Sequence, residues 1–218
     1  MIKYATLELL AKMKTQSTVT LTNDKIVRAA LKVALRDHYA IDKQLRIIEE
    51  FSVEHGAARV DIAVVNGRLH GYEIKSDRDT LWRLPEQMDS YNGVFDRVTL
   101  VVGKQHLFEA VNIIPDWWGI IIAKIDASHS VVFNSIREAR RNPARNSVSI
   151  ARLLWRSEAL KILEEAGRAD GVRSKPRELI YERLSSTFDQ HRLALMVRNA
   201  LFLRGAWRSG APLMPNGG

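Results

Sequence analysis

Apolar positions recur at two different spacings along this chain, and the changes of spacing mark its organisation. Over residues 1–15, Leu7, Leu9, Leu10 and Met13 fall on roughly one side of a helix, and the polar, β-branched stretch 18–22 breaks it. Thr22 or Asn23 then caps a second helix, with Ile26, Ala29, Ala30, Val33 and Ala34 at helical spacing. From Arg46 the period becomes two. Strands are expected over 46–53, 59–65 and 68–76, with a loop through His55-Gly56-Ala57 and a hairpin at Asn66-Gly67. A turn over 79–84 leads into a helix from Pro85 to about Asn92, proline suiting the first helical position. Residues 96–103 and 118–125 are nearly all apolar at their centres and predict buried strands separated by a helix over 106–114; 131–134 adds an edge strand. After Asn142-Pro143 helical spacing returns over about 148–166, 176–186 and 189–204.

This order predicts an α/β fold, a mixed central β-sheet flanked by helices, with an all-helical C-terminal extension. Residues 1–135 form the core with its N-terminal helix, 136–208 the extension packed on it, and 209–218 an uncharged, flexible tail.

Charge changes the picture. The net +8 is confined to the extension: residues 1–135 carry 17 basic and 17 acidic side chains, whereas 136–208 carry 16 basic, 14 of them arginine, against 8 acidic. Guanidinium forks match phosphate oxygens, so a polyanionic partner is expected, with Arg137, Arg140, Arg141 and Arg145 as candidate phosphate contacts. Cysteine is absent, which excludes a disulfide scaffold, a zinc-thiolate or iron-sulfur site and a cysteine nucleophile, and suits a cytoplasmic protein. The longest apolar runs are too short to cross a bilayer, and Glu8 and Lys12 interrupt the N-terminal stretch where a signal peptide needs apolar residues. The six histidines show no ligand spacing, and Trp117-Trp118 is read as core or sheet edge.

The candidate chemistry lies in the second and third strands. Asp61 interrupts the apolar run Val60 to Val65, and Glu73 and Lys75 flank Ile74, with Tyr72 and Ile74 on the opposite face. Charges in half-buried strands are costly unless they pair or bind a cation. A hard divalent ion such as Mg2+ or Mn2+ suits two carboxylates with a backbone carbonyl, and Lys75 can neutralise developing charge or hold an attacking water. Register constrains this idea. A two-residue Asn66-Gly67 loop pairs Asp61 with Tyr72 and sends Asp61 and Glu73 to opposite faces. A three-residue loop with Gly67 left-handed, or a bulge at Gly71, brings them together, and one of these is expected.

An Asp on one strand, a hairpin, then Glu-x-Lys on the next, in the order helix, three strands, helix, strand, resembles the PD-(D/E)XK, or restriction-endonuclease-like, nuclease superfamily. The runs Ala58 to Gly67, Gly71 to Asp77, Arg83 to Gln87 and Asp96 to Gly103 are similar to a bacterial family of short, uncharacterised nuclease-like proteins. The resemblance implies a metal-dependent deoxyribonuclease, an endonuclease more than an exonuclease. Asp61 and Glu73 are then metal ligands assisted by the Ile74 carbonyl, and Lys75 is the catalytic lysine. Gln87 and Tyr91 resemble the Gln-x-x-x-Tyr element of the RecB-like branch. Val60 stands where the superfamily's proline is expected, and the helix at 24–38 lacks the glutamate many members carry there, so Glu49 or Glu50 must substitute. Arg78 and Arg83, beyond the Glu-x-Lys strand, are further candidate phosphate contacts. The implied partner is DNA, with a homodimer possible and no membrane. The competing reading is a DNA-binding protein of repair or defence whose nuclease-like fold is silent or needs a partner; an RNA nuclease is a third.

Overall fold

The structure, a computed structural model, describes residues 21–42 and 44–208, the last four of these by backbone only. The helix expected over 1–15, most of the break at 18–22 and the tail 209–218 lie outside the described residues. Within them the fold is mixed α/β, with seven α-helices and a six-stranded mixed sheet. The order is α1 (Asp24–His38), β1 (Arg46–Val53), β2 (Ala58–Val65), β3 (Leu69–Lys75), α2 (Leu84–Val94), β4 (Arg97–Gly103), α3 (Leu107–Ile113), β5 (Gly119–Ile125), β6 (Val131–Arg137), α4 (Ser147–Ala151), α5 (Arg156–Glu165), α6 (Arg177–Thr187) and α7 (Gln190–Arg208). The strands lie side by side in sequence order. β1, β2 and β3 form an antiparallel meander, β3, β4 and β5 run parallel with α2 and α3 as crossovers, and β6 returns antiparallel. No helix among the described residues is long and apolar enough to cross a membrane.

Asn23 caps α1 by accepting the Ile26 N–H at 3.1 Å, and the helix opens with Asp24 and ends with Arg36 and His38, in accord with its dipole. Its buried stripe is Val27, Leu31 and Leu35, whereas Ala29, Val33 and Ala34, expected on the inner face, are exposed. Both stripes are apolar, and the one with the larger aliphatic side chains docks because each such side chain contributes about 1.5–3 kcal/mol on burial. They meet Ile62, Val64, Tyr72, Ile74 and Val101 on one face of the sheet. The opposite face packs on α2 and on the C-terminal helices in one continuous cluster running from Phe51 through Tyr91 and Trp118 to Leu201.

Two boundaries depart from the sequence pattern. The helix expected over 148–166 is two helices, α4 and α5, broken at Arg152 to Trp155. The break turns both Leu153 and Leu154 inward; Glu158 accepts the Trp155 N–H at 2.8 Å, and the Tyr181 hydroxyl caps the Leu154 carbonyl at 2.9 Å. β6 extends to Arg137, three residues past the expected edge strand.

Several arginines of the extension act as stitches, to the neutral body or between the extension's own helices. Arg145, only 6% exposed in its side chain, pairs with Asp96 at the foot of β4, and Arg198 reaches the same carboxylate at 3.4 Å. Arg152 bridges Glu54 at 2.7 Å and Glu178 at 2.9 Å. Arg204 holds Glu158 and lies 4.3 Å over the Trp155 ring.

One clamp fixes α1 against the sheet. Asp77, just past β3, accepts the Thr22 N–H at 2.9 Å and the Thr22 hydroxyl at 2.7 Å, and the Asp77 N–H returns to that hydroxyl oxygen at 2.9 Å. Gly103 makes room for it: a Cβ there would sit 2.6 Å from the Asp77 nitrogen. Gly103→Ala should therefore cost about 1–3 kcal/mol, measured as a lower urea midpoint at unchanged slope; an unchanged midpoint would show that the close approach is not fixed.

Candidate functional site

The β2–β3 hairpin sets the site. Val65 pairs with Leu69, leaving a three-residue loop, Asn66-Gly67-Arg68, in which Gly67 takes the left-handed conformation at φ 85°. This is one of the two irregularities expected from the sequence. The register that pairs Ile62 with Tyr72 sets Asp61 opposite Glu73. A second irregularity helps to aim these side chains. In β2, Val60 and Ala63 both face the large core, and in β1 so do Ile48 and Phe51, so the inward parity flips across Asp61-Ile62 and across Glu49-Glu50. Glu50 carries the distortion, with φ 51° in mid-strand, a conformation that a non-glycine residue adopts only under compensation.

The side chains converge on a cleft of about 640 Å³ walled by α1, β1, β2, β3 and the start of α2. The Lys75 ammonium donates to Glu73 Oε1 at 2.7 Å and to Gln87 Oε1 at 3.0 Å. The Tyr91 hydroxyl lies 2.8 Å from Glu73 Oε2 and 2.7 Å from the Arg59 carbonyl, and accepts from Gln87 Nε2 at 3.2 Å. Asp61 Oδ2 accepts the Ile74 N–H at 2.6 Å. Of the five residues expected to act together, Glu73, Lys75, Gln87 and Tyr91 form one hydrogen-bonded set, and Asp61 stands opposite Glu73, bonded to the Ile74 N–H. Pro85 stands at the second residue of α2, one later than expected, and the helix's four-residue spacing presents Gln87 and Tyr91 on one side.

Burial, and then the facing Glu73 carboxylate, push Asp61 up from 3.8 to about 7, against the pull of the Ile74 N–H and of Arg28. Burial likewise raises Tyr91 well above the ordinary phenol value, reinforced by Glu73, so its hydroxyl stays protonated.

Arg28, on α1, escaped the sequence reading. Its Nη2 lies 2.6 Å from Asp61 Oδ1 and 3.0 Å from Asp24 Oδ1, and its Nη1 pairs with Glu50. Burial works against its charge, but Asp24, Asp61 and Glu50 more than restore it. A signal was present: Arg28 and Lys32 sit one step after Val27 and Leu31, a basic flank opposite Glu49-Glu50.

The two glutamates left open by the sequence separate. Glu50 lines the cleft between Arg28 and Arg59, while Glu49 pairs with Lys32 at 2.5 Å and does not line the cleft. Among the described residues no group of three or more His, Asp or Glu side chains is arranged to hold a metal ion. Glu49, turned to Lys32 and away from the cleft, is corrected as a ligand there, and Glu50 pairs both its oxygens with arginines. Asp61, Glu73 and the Ile74 carbonyl are oxygen donors of the kind one hard ion takes along with waters of its own; here the Asp61 oxygens accept from Arg28 and the Ile74 N–H, and the Glu73 oxygens meet Lys75 and Tyr91.

Of the expected phosphate contacts, Arg83 lines the cleft and Arg78 is exposed on the turn beside it. Arg137, Arg140, Arg141 and Arg145 are not brought to the cleft. They lie on the segment tied to Trp117, Asp96 and Gly93, at the end of the sheet where β4 and β5 begin, and Lys75 closes the other end of β3. Arg137 caps the Trp118 and Pro115 carbonyls, Arg140 the Asp116 carbonyl, and Arg145 is buried on Asp96.

Fold and site together define a mixed α/β protein with a charge-lined cleft beside the hairpin strands of its sheet. The chain belongs to the family described as Bacteriophage P4 protein cII, which it matches over residues 2–204. It is 31% identical over 121 residues to Protein cII of Enterobacteria phage P4, a match covering 56% of this chain and 46% of that protein, so less than half of the relative's length is spanned. A protein of unknown function from Silicibacter pomeroyi shares 22% identity, over 69% of this chain and 94% of that one, with a TM-score of 0.40.

With Asp61 raised to about 7, the folded protein binds a proton there that the unfolded chain releases from about pH 4, so the Asp61 contribution to stability falls as pH rises through that window, against the opposite contribution of buried His70, held down to about 3 by burial. In buffer free of divalent ions, the urea midpoint of the wild type should therefore lose ground to that of Asp61→Asn from pH 4 to 7, the His70 contribution being common to both. Parallel slopes would place Asp61 at its ordinary value.

Proposed function

We propose that this protein is a metal-dependent nuclease that hydrolyses DNA phosphodiester bonds on a restriction-endonuclease-like core. The observation that carries the reading is the register: a three-residue turn puts Asp61 opposite Glu73, with the Lys75 ammonium on the Glu73 carboxylate, in an open cleft. The resemblance of the Asp…Glu-x-Lys and Gln-x-x-x-Tyr patterns to the PD-(D/E)XK superfamily supports it, as does the convergence of Gln87 and Tyr91 on the same carboxylate and ammonium.

Asp61, Glu73 and the Ile74 carbonyl would hold Mg2+ or Mn2+, which lowers the pKa of water and neutralises charge on the scissile phosphate. The protein's own groups do the positioning. Gln87 and Glu73 fix the Lys75 ammonium at the cleft, where it holds the attacking water or meets the charge growing on the phosphate. Tyr91 locks the second Glu73 oxygen. Arg83, on the cleft wall, and Arg78 beside it are placed to grip the flanking backbone.

A second reading, a DNA-binding protein with a silent nuclease-like site, is favoured by one observation: Asp61 already carries an internal counter-ion, Arg28. The two readings separate in a cleavage assay on circular single-stranded, circular duplex and linear DNA with Mg2+ or Mn2+. The nuclease reading expects cut products, with Asp61→Asn and Lys75→Ala slower by about 10²-fold or more and with unchanged far-UV circular dichroism. Either variant cutting at the wild-type rate would sink the assignment of these residues. Salt-sensitive DNA binding without cleavage of any form would favour the silent site.

A further inference from the structure

We infer that Arg28 is a built-in second cation of this site, so that the cleft takes one divalent ion, at Asp61 and Glu73, and Glu50 serves as an anchor for the arginine. The inference rests on the nuclease reading and specifies its metal count.

Three carboxylates from three elements close on one guanidinium. Asp24, a turn earlier on α1, meets both Nε and Nη2, with Oδ2 at 3.2 Å from each and Oδ1 at 3.0 Å from Nη2. Asp61 Oδ1 lies 2.6 Å from Nη2, and the Asp61 carbonyl 3.3 Å from Nη1. Glu50 takes Nη1 from the third side, and Arg59 closes its other oxygen. The fork geometry satisfies several acceptors at once, as an ammonium could not, and a guanidinium does not give up its charge. With its side chain 18% exposed, Arg28 is held in place by packing as well as by charge.

Two further features bear on the same point. The left-handed Glu50 backbone is strained, and its effect is to reverse the parity of β1 so that Glu50 turns toward Arg28 while Glu49 turns to Lys32. The Thr22–Asp77 clamp ties the start of α1 to the end of β3, which fixes the distance from the Arg28 backbone to the carboxylates. A divalent ion between Glu50 and Asp61 would have to enter the volume that the guanidinium fills and pay its repulsion. An ion at Asp61 and Glu73 would share Asp61 with Arg28 and would not need the volume that the guanidinium fills.

The test is metal binding without DNA: Mn2+ titration followed by the electron paramagnetic resonance of the free ion, with thermal melts to check folding. Wild type should bind one Mn2+ per chain, lost in Asp61→Asn. Arg28→Gln, which leaves Asp24, Glu50 and Asp61 without their shared cation, should bind a second, and Arg28→Gln/Glu50→Gln should lose it again. Arg28→Lys should stay at one. In the wild-type background Glu50→Gln should change the affinity by no more than about threefold, roughly 0.65 kcal/mol, and this arm stands even if Arg28→Gln fails to fold. Two ions in the wild type, one ion in a folded Arg28→Gln, or a tenfold loss in Glu50→Gln would overturn the inference while leaving a metal nuclease intact. No Mn2+ in the wild type, together with no cleavage, would remove the nuclease reading itself and the inference with it.

Discussion

The pairing register of two adjacent strands is the constraint on which the cleft depends. Side chains alternate across a sheet, so a slip of one residue between β2 and β3 would move Asp61 to the side of Tyr72 and Ile74 and leave Glu73 and Lys75 without it. The three-residue turn, with Gly67 at φ 85°, holds that register from the loop end. The core holds it from both faces, since Ile62, Val64, Tyr72 and Ile74 must stay under α1 while Ala63, Val65 and Leu69 stay under the C-terminal helices. Hydrophobic burial and turn geometry thus place the charges.

Local distortion then does what register alone does not. The parity flips at Glu50 and Asp61 occur side by side on paired strands, and α1 supplies Arg28 to the space they open. Buried carboxylates are tolerated here because each has a partner: Glu73 has Lys75 and Tyr91, and Asp61 has Arg28 and the Ile74 N–H. Where burial, and then the facing Glu73 carboxylate, outweigh that compensation, the proton affinity of Asp61 rises. A site proposed to take a divalent ion is expected to show its strain there.

The arginine-rich extension carries a different lesson. Its excess charge suggested a surface for polyanions, yet Arg145, Arg152, Arg198 and Arg204 spend their guanidinium groups on Asp96, Glu54, Glu178 and Glu158. Arg145 and Arg198 share Asp96, and Arg152 reaches Glu54, so basic groups in the extension are matched by acidic groups in the body. This pairing adds to the apolar cluster that already joins the extension to the sheet. The arginines left at the cleft, Arg28, Arg59 and Arg83, come from the neutral half of the sequence.

The element order, the alternation that puts Glu73 and Lys75 on one face, and the need for an irregular hairpin were legible in the sequence because they follow from local periodicity and from the short reach of a turn. So was the grouping of Asp61, Glu73, Lys75, Gln87 and Tyr91, though only through a pattern already known from other proteins. Long-range choices were not legible. Which stripe of α1 docks, whether Glu49 or Glu50 faces the cleft, that Arg28 meets Asp61, and that Arg145 turns to Asp96 are competitions between near-equal local options. Those competitions are decided by what lies across the interface, since the energy of a buried charge or an apolar stripe depends on neighbours distant in the chain. Sequence by itself determined the strands, their faces and the candidate chemistry; tertiary structure decided the partners of each charge, because only packing sets which of them lose water together.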